Sequence, residues 1–165
     1  MTLAGVAPDI DGLGAPVELL TANGSRPLLW FSQFHHSLCH NLAFGLLLGI
    51  SALLLARRRL RTGPLVLASF HLHLLCDLAG SRGPDGYQWP IPYLQPFSHA
   101  CDLTWSGQWP LNAWPNVLLT LVLVLATLYL ARQRGHSPLE IVSSKADAAL
   151  VTTLRSRIGN PRPDA

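Results

Sequence analysis

Three nearly uncharged stretches restrict what this chain can fold into. Residues 41–56, 65–78 and 116–131 are almost wholly apolar. Arginine clusters, RRRLR (57–61) and RQR (132–134), close the first and third. A helix that spans a bilayer needs roughly 20 residues, within about 17–25. Extended back to His36, the first run reaches 21 residues, and the third reaches 18 when extended back to Trp114. Only 13% of the chain is charged, against about 25% in soluble domains, so solubilising groups are scarce. The expected fold class is all-α: a membrane helical bundle with about three hydrophobic helices, a Pro/Trp-rich loop and a C-terminal amphipathic helix. A soluble helical protein with the same runs buried is the alternative. At 165 residues the chain suits one compact domain, read as a membrane-embedded domain over 1–135 and a helical tail over 136–165.

Charge orients the runs. The net charge is +3, with eleven arginines among twelve basic residues. This excess is too small and too local to suggest nucleic acid, and the expected partner is the lipid bilayer. Arg57, Arg58, Arg59 and Arg61 fall between the first two runs, with a turn expected at Gly63-Pro64. Arg132 and Arg134 follow the third. The positive-inside rule puts both clusters in the cytoplasm. The other loops hold Asp9, Asp11, Glu18, Asp85 and Asp102 against Arg26 and Arg82. Three crossings satisfy this pattern.

Against that frame, FHHSLCH (34–40) and HLHLLCD (71–77) stand out. Ionisable groups beside lipid-facing helices are costly and mark functional sites. His36 and His40 are spaced i,i+4, as are His73 and Asp77, so each pair shares a helix face. An antiparallel hairpin brings all four to one level, away from the arginines. Two donors from each facing helix can form a core metal site. Imidazole with carboxylate suits a divalent ion, zinc first and manganese second. An i,i+4 His–Asp hydrogen bond without metal is the alternative reading of the His73–Asp77 pair. His35 converges with His40 only if the helix starts after Ser37. Asp9 and Asp11, in PDID, add two carboxylates that can bind or bridge metal, or serve as the base that takes a proton from water. His71 reads as a packing residue. Arg82 suits an anionic substrate group, or simply solvent.

The cysteines, Cys39, Cys76 and Cys101, are odd in number and form no CxxC pair, which argues against a disulfide framework or zinc ribbon. Trp89, Trp105, Trp109 and Trp114 suit a substrate groove or an interfacial belt. In the tail, Ser137-Pro138-Leu139-Glu140 resembles a helix start, with the helix running to about Ile158.

The segments PDIDGLG (8–14), HHSLCHN (35–41), FHLHLLCDLAGSRGPDGYQWPIPYLQPFS (70–98) and LNAWPN (111–116) resemble the membrane-bound metal-dependent hydrolases. That family includes a LexA-regulated inner-membrane protein of bacteria. The resemblance spans roughly residues 4–160. It implies the pattern PD-x-D, H-x4-H and H-x3-D, hence Asp9, Asp11, His35, His40, His73 and Asp77 as metal ligands; outside that pattern, His36 and Arg82 are second choices in catalysis, for orientation and substrate charge. His35 is favoured here over His36. A distant similarity to zinc-dependent phospholipase C and related nucleases implies phosphoesters, small or lipid-like, as substrates. It further implies a bacterial inner-membrane location; the arginine clusters put the expected site on the side away from the cytoplasm. Members commonly begin with another helix that carries a histidine before PD-x-D. An in-frame helix upstream of Met1, or a site short of one ligand, is therefore expected.

Overall fold

The computed structural model describes residues 2–83 and 86–160; Asp85, counted above among the loop charges, lies outside them. The chain divides into two compact units, Met1–Leu111 and Asn112–Ala165.

In the first unit, α1 (Thr2–Val6), a 3-10 turn (Pro8–Leu13), α2 (Gly14–Thr21) and α3 (Trp30–Phe34) precede the helical hairpin of α4 (Leu42–Leu55) and α5 (Arg59–Gly80). Strands β1 (Ile91–Pro92) and β2 (Asp102–Leu103) pair antiparallel, Ile91 opposite Leu103. This small sheet departs from an all-helical fold. Its Ile91 is buried with Phe70 and Leu74 of α5, and Phe44, Leu48 and Tyr93 pack around them. Two polar contacts fasten the sheet to the hairpin. Leu42 N–H donates to the Tyr93 carbonyl at 2.9 Å. His71 Nδ1–H donates to the Leu67 carbonyl at 2.8 Å, so its Nε2 accepts from the Tyr93 hydroxyl at 2.9 Å.

The hairpin is tight because α4 carries glycine one turn apart. A Cβ at Gly45 would lie 2.6 Å from the Phe70 ring, and one at Gly49 would lie 2.7 Å from Leu67. Small residues at this spacing let apolar helices approach where lipid supplies no hydrophobic drive.

Three expectations need correction. First, α4 begins at Leu42, not His36. Asn41 Oδ1 accepts the Phe44 N–H at 2.9 Å, and its Nδ2 donates to the Ser37 and Leu38 carbonyls. The buried Asn41 thus caps the helix and ties down the loop before it. The helix has 14 residues, about 21 Å, which is short for a hydrocarbon core of about 30 Å. Among the described residues only α5 and α6 (Trp114–Arg134) are long and apolar enough to cross a membrane, so three crossing helices are not found.

Second, the hairpin turns at Ala56–Arg58, and α5 runs straight through Gly63-Pro64. Proline there forfeits one hydrogen bond. Gly63 in turn lies buried against Leu53, where a Cβ would be 2.6 Å away.

Third, the tail is not one helix. In the second unit a 3-10 turn (Pro138–Ile141) follows α6, and α7 (Ser144–Ile158) starts on its own cap, Ser143. Glu140 does not complete a capping box. Asp147 takes that part: its buried carboxylate accepts from Ser137 N–H at 2.7 Å and from the Ser137 hydroxyl at 2.6 Å.

Candidate metal centre

Three segments meet at the open end of the hairpin. The 3-10 turn brings Asp9 and Asp11, the loop before α4 brings His35, His36 and His40, and the last turns of α5 bring His73 and Asp77. The arginines of residues 57–61 lie at the other end, with Arg61 about 18 Å from His73 along the helix.

His40 is the hub, with a side chain wholly out of solvent. Its Nδ1 lies 3.3 Å from Asp11 Oδ2. A carboxylate can only accept, so Nδ1 carries the proton and Nε2 is the free donor. His73 is held the same way: Nδ1–H donates to the Gly5 carbonyl of α1 at 2.7 Å, leaving its Nε2 free.

These two nitrogens converge on Asp77. Asp77 Oδ2 is 3.3 Å from His40 Nε2 and 3.0 Å from His73 Nε2. All three atoms are buried and lack a partner in hydrogen-bonding geometry. Asp9 Oδ1 completes the group, 3.4 Å from His73 Nε2 and 3.9 Å from His40 Nε2, and its side chain is 52% exposed. Buried polar atoms are rarely left unpaired. A tetrahedral ion bound at about 2.0–2.1 Å sets its ligand atoms about 3.3 Å apart. The donor set and its spacing therefore fit a divalent metal.

Electrostatics agree. Burial opposes charge on His40, but the carboxylates of Asp11 and Asp77 outweigh it and lift its pKa to about 9. Without a metal, the ring satisfies its acidic neighbours only by holding a second proton. Burial also opposes charge on Asp11, yet His35, His40 and the Cys39 N–H hold it well below the usual carboxylate range. Burial, reinforced by His40, pushes His36 down to about 3, so that imidazole is neutral.

Asp9, His40, His73 and Asp77 thus come together, with Asp11 behind His40. His35 sits in a separate group with Asp11 and His40: its Nδ1 donates to Asp11 Oδ1 at 2.8 Å and its ring stacks on Phe31. His36 is buried and lies flat over His40. It does so from a left-handed backbone, φ +67°, in a loop rather than a helix. The i,i+4 helical pairing of His36 with His40 is therefore overturned, because Asn41 stops the helix beyond both. Arg82 stays apart, its Nη2 donating to the Ser106 carbonyl at 3.0 Å. Cys39, Cys76 and Cys101 are free thiols.

Two features escaped sequence reasoning. The Gly5 carbonyl is a backbone group without a motif. Gln108, 2% exposed, donates from Nε2 to the Asp77 carbonyl at 2.8 Å and pins the end of α5. Nothing in its neighbourhood of the sequence marks it.

A cleft of about 360 Å³ opens beside the histidines, lined by Phe31, His35, His36, Tyr87, Trp89 and Asp102 among others. A wider hollow of about 600 Å³ lies among Arg57–Arg61, at the end of the hairpin that carries none of these donors. The smaller cleft is the one that meets the chemistry.

The YdjM inner membrane protein family model matches residues 1–153, which includes every candidate ligand. The chain belongs to the YdjM inner membrane protein family. No curated protein and no solved structure matches it. In this YdjM-family chain Asp11 contacts the Nδ1 side of His40, and groups that orient a ligating histidine typically contribute 10–100-fold to metal affinity. Asp11→Asn is expected to weaken Zn²⁺ binding by about that factor in chelator competition. An affinity within about twofold of wild type would remove Asp11 from this role.

Proposed function

We propose that this YdjM-family chain is a membrane-bound metal-dependent hydrolase acting on phosphoesters. The observation that carries the reading is the set of three buried, unpartnered donors, His40 Nε2, His73 Nε2 and Asp77 Oδ2, beside an aromatic cleft. Those residues would hold the ion, zinc first and manganese second. When bound, such an ion lowers the pKa of a coordinated water toward about 7 and polarises the scissile group.

The chain supplies the rest. Asp9, half-exposed at the edge of the donor set, is placed to accept the proton that water gives up. Asp11 and the Gly5 carbonyl keep the two histidines in the tautomer that leaves Nε2 free. Phe31, Tyr87 and Trp89 seat the apolar part of a small or lipid-like substrate. Arg82 gives one bond to the Ser106 carbonyl and keeps a positive charge that suits an anionic substrate group.

The test is turnover of a phosphoester and ester panel by detergent-purified protein, stripped and then loaded with Zn²⁺ or Mn²⁺. Metal-dependent hydrolysis is expected, falling at least about 100-fold in Asp9→Asn while the ion is retained. Stoichiometric metal without turnover would sink the hydrolase and leave a structural or transport site.

The arginines of the α4–α5 turn favour a cytoplasmic position for that end by the positive-inside rule, which would put the centre on the other side of the inner membrane. In a background without native cysteines, Leu60→Cys and Ser106→Cys should react with an impermeant maleimide from opposite sides. Labelling of both from one side contradicts this orientation.

A further inference from the structure

The donor set leaves open what lies between the ion and the cleft. We infer that His36, rather than His35, supplies the donor that closes the cleft side of the metal centre. The inference rests on the metal-centre reading and deepens it.

His36 Nδ1 is buried and has no hydrogen-bond partner. It belongs to a second group, His36, His40 and Asp77, whose ligand atoms lie within 4.8 Å of one another. Its ring lies over that of His40, centroids 4.3 Å apart and planes 17° apart, and the Trp89 edge backs it at 4.7 Å. The ring reaches this place through a left-handed backbone at φ +67°, a conformation that side chains with a Cβ avoid. Such outliers persist where the surroundings impose them, commonly at functional sites.

His35 also touches His40 and Trp89 and forms a group with Asp11 and His40, but its donor is committed. Its Nδ1 is taken by Asp11 and its ring by Phe31. Both histidines line the cleft, but of the two only His36 has an unpaired buried nitrogen and shares a group with His40 and Asp77. A neutral imidazole there shields the ion from the cleft. It is also a donor that can be given up to an incoming oxygen, since a catalytic zinc-type site needs an open position for water or substrate.

Cobalt tests this without reference to turnover. Co²⁺-loaded protein is compared as wild type, His36→Phe and His35→Phe, by visible absorption and by the rate at which EDTA strips the ion. Phenylalanine keeps a ring over His40 but removes the donor. His36→Phe is expected to change the Co²⁺ bands and to speed stripping at least tenfold. His35→Phe should leave the bands unchanged. As a second variant, His36→Gly suits the left-handed backbone, and added imidazole should restore the wild-type spectrum. Unchanged bands in both His36 variants, or a change confined to His35→Phe, overturns the inference. Wild type that takes up no Co²⁺ overturns the metal centre itself.

Discussion

His73→Ala and Asp77→Ala should each empty the metal centre. Structural zinc sites built from four protein ligands gain about 10–16 kcal/mol, so one ligand is worth about 3–4 kcal/mol. The affinity of either variant should fall by roughly 10²–10³-fold. Metal analysis of detergent-purified protein should then change from a stoichiometric ion to a trace. The two residues are chosen because they stand one helical turn apart on α5, with Nε2 and Oδ2 only 3.0 Å apart. Neither atom has a partner in hydrogen-bonding geometry. If this were only an i,i+4 His–Asp pair, removing one member would not alter metal content. Retention of a stoichiometric ion in His73→Ala, or its absence from wild type, would end the metal-centre reading. The Asp11→Asn variant should lie between these results and wild type, because Asp11 touches His40 and not the point where the free donors converge.

Gly45→Leu should loosen the hairpin and the centre together. Its Cβ would start 2.6 Å from Phe70, and Phe70 cannot retreat, being fully buried against Leu74 and Ile91. Overpacking of this kind costs about 1–3 kcal/mol or more, which for a chain of this length lowers Tm by roughly 2–4 °C per kcal/mol. Metal affinity should fall as well. His40 stands two residues before α4 while His73 and Asp77 ride on α5, so parting the helices parts the donors. Leu47→Ala, at an exposed position on α4, should change neither. A Gly45→Leu protein with wild-type Tm and metal affinity would show that close approach of α4 and α5 does not shape the site.

These two results draw on different kinds of information. The His73–Asp77 pair was readable from spacing alone, because a helix repeats every 3.6 residues and its geometry is local. The hairpin was readable too, since alternating apolar runs and arginines specify which ends lie together. Spacing misled for His36 and His40. It assumed one helix through both, whereas the Asn41 carboxamide oxygen accepts from Phe44 N–H and starts the helix there, after both histidines. A cap is a short signal, easily outweighed by the length of an apolar run. The same error split the tail, where Ser143 begins a new helix.

The two PDID carboxylates show what a sequence does not hold. Asp9 and Asp11 are one residue apart and chemically alike, but Asp9 borders the free nitrogens and the solvent, while Asp11 is buried behind His40. His35 and His36 divide in the same way, one committed to Asp11 and the other left unpaired over His40. By itself, the sequence determined the donor types, the i,i+4 pair on α5 and the end of the hairpin that carries them. These follow from local geometry and from the cost of charge beside apolar helices. Tertiary structure alone decided which nitrogen of each histidine is free, because the partners that settle it, Asp11 and the Gly5 carbonyl, lie 29 and 68 residues away along the chain.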